Sequence, residues 1–430
     1  MSDPAASRRT LAVITSSSFP ETRVRAVRWT QLARELPAFG WRVVLLSRYQ
    51  GVSASREQID NGVHPSAKIE YIDRRPDAQP KPGERQRQAA PVSRSRKAIS
   101  RSASVLYPPD PSVRAWHRTK PRILDALGRY RPDAVLAGFP TGGNVSLVPW
   151  LSRAQPAPVI ADFEDPFTID WRFRPKGLAR LRSGAFQAIE RDVHRSASLV
   201  LHAIPIHHRW ARLAYPDARG AFRLLMMATP DAVLDGRVDP VPDPSGRPAV
   251  RVVGAMDGPA MLRLAQAIEA VNARTGPFRL DLVGTPPATA DEIRSLLGES
   301  VGVHGRVPHE RAIGFIAGAS VLVNSLGPRR GRGLGLSSKL LEFMAAGKPI
   351  IQINPTRSDR LFARRRHGIR TLVAPSTADL AAAIETAYAE HSEADAERMR
   401  AAVRHETWHD RARQLAGWLD SVVEGREIKP

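Results

Sequence analysis

Residues 331–353 read GRGLGLSSKLLEFMAAGKPIIQI, and this stretch decides the fold. Gly331, Gly333 and Gly335 are spaced so that the backbone can turn tightly and approach a ligand. Ser337 and Ser338 follow, and either can cap a helix by accepting a hydrogen bond from a free N–H of its first turn. Leu340, Leu341, Met344 and Ala345 then make an apolar stripe at helical spacing, suited to packing on a sheet. Gly347 fits a left-handed helix end, Pro349 stops the helix, and Ile350, Ile351 and Ile353 read as a buried strand. The order loop, helix, strand is that of a parallel α/β sheet, whose helix N-termini attract phosphates.

Working outward, strands alternate with amphipathic helices on both sides of this unit. The pattern predicts strands at 249–254, 279–283, 301–303, 321–324, 350–353 and 371–373, a full doubly wound domain over 249–394. A second series, with strands at 10–15, 41–46, 69–72, 134–137, 158–161, 198–201 and 222–226, occupies residues 1–229. Its first loop has no glycine, so it is not a dinucleotide fingerprint. Five prolines between Pro230 and Pro248, without periodicity, mark 230–248 as the linker. The tail, 395–430, reads as helical with Leu415, Trp418, Leu419 and Val422 on one face, and so needs a partner surface such as the first domain.

The chain has 430 residues and a formal charge of +21, from 64 basic and 43 acidic side chains. Such an excess attracts anions: nucleic acid, phosphorylated substrates or an anionic membrane face. Part of it lies in 74–104, where nine basic residues face Asp77 and Glu84 without apolar periodicity. That insert reads either as a solvated loop or as a patch for anionic lipid head groups or a polyphosphate acceptor. Without aromatics for base stacking and without a nucleic-acid-binding motif, the charge does not point to nucleic acid. There is no cysteine, which fits a reducing cytoplasm. No signal-peptide core and no run of ~20 apolar residues appear, so a cytoplasmic, at most peripheral, protein is expected.

With these residues in place the chain resembles the GT-B glycosyltransferases of family four, the group 1 glycosyltransferases, in their polysaccharide-linked branch. SSKLLEFMAAGKPI (337–350) is similar to the family's donor-site helix, and LVG (282–284), HGRVP (304–308) and ASVLVNS (319–325) stand in its order. LYPPDPSVRAW (106–116) and VIADFEDPF (159–167) resemble its acceptor-domain signatures. The resemblance implies two Rossmann-like doubly wound domains facing a cleft. It implies retaining, metal-independent transfer of a sugar from a UDP- or GDP-sugar, with no further cofactor. The acceptor would be a hydroxyl of a cell-envelope glycan, a lipid-linked saccharide or a small molecule, on the cytoplasmic side of an anionic membrane.

Carried onto this sequence, the resemblance makes Glu342 the ribose ligand; the alternative is an exposed glutamate paired with Lys339. The loop and helix start, Gly333, Leu334, Gly335, Leu336, Ser337, Ser338 and Lys339, would meet the diphosphate and donor sugar. Val307 would contact the base through its backbone, and Gly254 would allow close approach near the phosphates. Arg263, with Arg329, Arg330 and Arg332, could neutralise phosphate charge in place of the lysine that follows the family's first strand in this domain. Asp162 or Asp165, at the end of a buried strand, would orient or deprotonate the acceptor. Leu334 stands where many relatives have a sugar-sensing glutamate, and GFP (138–140) lacks their histidine. A non-catalytic homologue and a nucleotide-sugar epimerase therefore remain as rivals. No metal-ligand spacing occurs, and the adjacent His207 and His208 read as surface residues.

Overall fold

The computed structural model describes residues 9–16, 24–47, 67–72, 111–139, 142–166, 168–169, 180–254, 256, 258–276, 278–325, 337–364 and 369–428. The basic insert 74–104, Gly333, Leu334, Gly335, Leu336 and the three donor-loop arginines lie outside them. The chain forms two compact units, 1–226 with 411–430, and 227–410.

The first unit is built on seven parallel strands: β1 (Arg9–Thr15), β2 (Trp41–Ser47), β3 (Lys68–Tyr71), β4 (Ala134–Phe139), β5 (Val159–Phe163), β6 (Leu199–His202) and β7 (Ala221–Leu224). Their order is β3-β2-β1-β4-β5-β6-β7. Leu11, Ala12, Val13 and Ile14 are all fully buried, as a strand covered on both faces requires. One face packs on Ile123, Leu151 and Val193, contributed by three helices. Between β3 and β4 the chain forms two helices, Pro111–His117 and Lys120–Tyr130, and Pro121 sits in the first turn of the second.

The C-terminal segment of this unit is a helix, Trp408–Val423, fastened to the sheet's first two strands. Arg9 reaches Asp420 at 2.6 Å and Glu424 at 2.5 Å, and Trp41 Nε1 donates to Asp420 at 3.0 Å. The tail holds two helices: Glu393–Ala402 belongs to the second unit, and the chain is interrupted at 403–407 before the other begins. There Thr229 and Thr407 form a parallel bridge.

The second unit carries β8 (Ala249–Val253), β9 (Arg279–Val283), β10 (Val301–Gly305), β11 (Val321–Ser325), β12 (Ile350–Ile353) and β13 (Ile369–Leu372), all parallel, in the order β10-β9-β8-β11-β12-β13. The order reverses at β8, which lies between β9 and β11. Ligands of open α/β sheets bind beyond the carboxyl ends of the strands at such a reversal. Val250, Val252, Leu282, Val323 and Ile351 face Leu264 and Ile268 of the Gly258–Asn272 helix and Leu380 and Ile384 of the Thr377–Glu390 helix. On the other side of the sheet, fully buried Arg251 donates to Asp281 at 3.0 Å and to the Phe315 carbonyl at 2.7 Å.

The proline-rich segment is fastened to this second sheet. Val241 N donates to Gly314 O at 2.9 Å, and Asp243 pairs with Arg279 at 3.3 Å. Its prolines therefore mark a docked strap in which absent N–H groups leave few donors to satisfy.

The excess charge is not shared equally. Unit 1 holds 41 basic and 22 acidic residues, and unit 2 holds 23 and 21. Of the +21 total, +19 belongs to the first unit.

Candidate functional site

Three glycines line the carboxyl ends of β8, β9 and β10. Gly254 has φ +88°, Gly284 φ +82° and Gly305 φ +58°, and the first two are tied across: Gly254 N donates to Val283 O at 2.7 Å and Gly284 N to Gly305 O at 2.5 Å. A side chain on Gly254 would be strained by its left-handed backbone and would crowd Lys339, whose Nζ lies 2.9 Å from the added carbon. The strand ends therefore form a bare backbone shelf beside an ammonium group. Lys339 Nζ is held there by donating to Val253 O at 2.8 Å. The position after the first strand, where the expected lysine is missing, thus receives a lysine from the Ser338–Ala345 helix instead.

The start of that helix is fixed in an unexpected way. Ser337 is the N-cap residue, but its side chain does not cap. Its backbone N–H donates to Asp359 Oδ1 at 2.8 Å, and its Oγ accepts from Asn324 at the end of β11, at 3.1 Å. Asp359 is fully buried and also accepts from Thr356 N at 3.2 Å. Burial raises its pKa, and the backbone N–H groups of Ser337 and Thr356 oppose that shift. Ser338 opens the helix half-buried.

Glu342 sits one turn on, 8% exposed, and among the described contacts it has no ion pair with Lys339. Its Oε1 instead accepts from His309 Nε2 at 2.7 Å. His309 is the first residue of the His309–Ala317 helix, two places after Val307, which is half-buried on the loop leaving β10. The structure therefore brings Gly254, Lys339, Ser337, Ser338 and Glu342 into one helix–shelf arrangement, with Val307 on the loop that supplies His309. Arg263 lies on the second turn of the Gly258–Asn272 helix, and its buried Nε has no partner among the described residues.

The acidic cluster of the first unit divides. Asp162, at the end of β5, is 0% exposed and both oxygens are engaged by Arg28, at 2.9 and 3.0 Å. The expectation that Asp162 orients or deprotonates an acceptor is corrected on this ground. A carboxylate sealed from solvent and held at two points by a guanidinium is a structural counter-ion. Glu164 and Asp165, just beyond the strand, are half-buried.

His207 is not a surface residue, and His208 is half-buried. His207 is fully buried, with Nε2 3.1 Å from Glu190 Oε1, and it belongs to a cluster with His194, His202 and Phe163. The His202 and His207 ring centroids are 4.6 Å apart, and His194 stacks on Tyr215 at 4.3 Å. No group of three or more metal-ligating side chains is arranged to hold a metal among the described residues.

Sequence comparisons bear on both units. One family model, glycosyl transferases group 1, matches residues 247–390, and another, the glycosyl transferase 4-like domain, matches 26–219. The chain belongs to the group 1 glycosyltransferases. No curated protein matches this glycosyltransferase significantly in sequence. Its backbone is similar to that of a sucrose-phosphate synthase (tll1590) from Thermosynechococcus elongatus, with TM-score 0.61 and 17% identity over 97% of this chain and 100% of that one. It is also similar to Anabaena Alr3699/HepE in complex with UDP-glucose, with TM-score 0.61 and 13% identity over 96% and 100% of the two chains. A third similar structure, alpha,alpha-trehalose 6-phosphate synthase from Burkholderia multivorans, gives TM-score 0.60 and 12% identity over 99% and 100%. At these identities the likeness establishes the GT-B fold. Among the described residues, no helix of the glycosyltransferase is long and apolar enough to cross a membrane.

Sequence reasoning missed His309 and Arg28. His309 directly follows the HGRVP segment, but it meets a glutamate 33 residues away. Arg28 meets its carboxylate 134 residues away.

The shelf allows a direct test. Gly254→Ala is expected to cost about 1–2 kcal/mol from the left-handed backbone alone and to push Lys339 off Val253 O. Urea unfolding reads the first effect, and weaker nucleoside diphosphate binding reads the second.

Proposed function

We propose that this glycosyltransferase uses a nucleotide-sugar donor bound at the carboxyl edge of the second unit and transfers the sugar with retention to a hydroxyl acceptor. The observation that carries the proposal is the placing of Lys339 and Glu342 on one helix against the Gly254 shelf. A diphosphate fits beside an ammonium, exposed backbone and a helix N-terminus, and a ribose fits a carboxylate one turn further. Cleavage of the sugar–phosphate bond develops positive charge on the sugar and negative charge on the departing diphosphate. Lys339, Arg263 and the Ser338 amide would stabilise the second. Asp165 is the candidate that orients or accepts the proton of the acceptor hydroxyl. A UDP- or GDP-sugar is the co-substrate, and no other cofactor is required by this scheme.

The acceptor we favour is a cell-envelope glycan or lipid-linked saccharide at the cytoplasmic face of an anionic membrane. The supporting observation is the +19 charge of the first unit against +2 for the second.

Thermal denaturation with a panel of nucleotide-sugars tests the donor. A ligand at about 100 times its dissociation constant should add ~2.7 kcal/mol. Product analysis with the stabilising donor alone separates transfer from epimerisation: an epimerised nucleotide-sugar released without acceptor would favour the epimerase reading. No stabilisation by any donor would favour a non-catalytic homologue, to which Leu334 already points.

A further inference from the structure

We infer that His309 is a positioning residue for the donor nucleotide, acting through Glu342. The inference rests on the proposed donor site and extends it to a residue outside the helix motif. Glu342 is 8% exposed, and its Oε1 is committed to His309 Nε2 at 2.7 Å. A glutamate side chain has three rotatable bonds, and ordering it on binding costs affinity. His309 is the first residue of a helix following Pro308, so its backbone is set by the fold, and its imidazole meets the carboxylate at 2.7 Å with no ligand present. The bond also fixes the tautomer: with Glu342 ionised, Nε2 carries the proton and donates. An ionised carboxylate with one oxygen engaged keeps the acceptor capacity of the other for a sugar hydroxyl.

Lys339 and Glu342, three residues apart on one helix, are each held by a different group. Lys339 is drawn to the Val253 carbonyl on one side and Glu342 to His309 on the other. The helix thereby presents a cation and an anion as separate contacts, the first suited to phosphate and the second to hydroxyl groups. His309 thus discriminates ribose from deoxygenated sugars at one remove, without touching the ligand.

The test measures binding of UDP and GDP, and of the 2′,3′-dideoxy form of whichever binds, to the full chain by titration calorimetry. Wild type should prefer the ribose form by at least 10-fold, as befits hydrogen bonds to a charged group. His309→Ala should weaken the ribose nucleotide about 10-fold, leave the dideoxy form nearly unchanged, and so collapse the preference. His309→Gln, whose amide can still donate, should restore most of it. A structural role alone would weaken both nucleotides equally and would show the same loss in both variants. Glu342→Ala separates the layers. If it abolishes the ribose preference while His309→Ala leaves it intact, the role of His309 is wrong and the donor site stands. If Glu342→Ala has no effect, or neither nucleotide binds wild type, the donor-site reading fails and this inference fails with it.

Discussion

Asp162→Ala is expected to destabilise the protein by about 3–5 kcal/mol, because it leaves the Arg28 guanidinium buried without its counter-ion. Arg28 and Asp162 are both 0% exposed, and their two contacts at 2.9 and 3.0 Å join a helix near the N-terminus to the end of β5. A second cation tightens the requirement. Arg411 is 6% exposed, and burial together with the Arg28 charge pushes its pKa down to about 10. Removing the carboxylate would leave the Arg28 charge to repel the Arg411 guanidinium without the anion that Arg28 holds. Denaturant unfolding measures the loss, and the double variant Arg28→Met with Asp162→Leu should recover much of it, since apolar replacement of a whole buried pair is often neutral. If Asp162 were instead the acceptor base, Asp162→Ala would abolish turnover while leaving the unfolding midpoint in place.

Acid should unfold the first unit before ordinary carboxylate titration explains it. Burial pushes the His194 pKa down to about 4, and His202 well below its usual value. Desolvation is the main cause in both, and neighbouring histidines add to it. Arg212, Arg223 and His207 also hold His208 down, after burial. Glu190 faces the cluster from its own helix, accepting from His207 and Thr168, and raises the His194 pKa by a smaller amount. The sign follows from proton counts. The unfolded histidines bind protons below their ordinary pKa of about 6.5 and the folded ones do not, so stability is complete above that value and falls as pH drops. His194 alone should remove about 3 kcal/mol between roughly pH 6.5 and 4. Unfolding followed by tryptophan fluorescence at graded pH measures it. His194→Phe, which cannot be protonated and suits the stack on Tyr215 and Phe163, should flatten the acid limb. An unchanged slope in that variant would contradict the account.

The legible part of the fold was the part written in local pattern. Runs such as Leu11–Ile14 and Val250–Val253, buried on both faces, and a helix that stops just before Gly347 and Pro349 need no distant information. The strand count of each sheet followed from them. What sequence could not show was pairing across the fold. Glu342 was legible as a functional residue, but its partner His309 was not. Asp162 looked catalytic because acidic groups at strand ends often are, and only Arg28, brought in by a helix packed elsewhere in sequence, turns it into a counter-ion. His207 and His208 read as surface residues from adjacency alone, whereas the helix Pro205–Ala214 buries the first against Glu190. Ser337 and Ser338 both read as possible helix caps, but Asp359, in the first turn of the Arg357–Arg364 helix, does the fixing.

The donor site at the carboxyl edge of the second sheet is the central claim, and hydrogen exchange with and without the stabilising nucleotide-sugar tests it most directly. Peptides covering residues 252–256, 283–286, 304–310 and 335–343 should exchange more slowly with ligand, while those covering β5 and the acidic cluster at 159–166 should not change. Protection confined to the first unit, or slowing spread evenly over both, would contradict it.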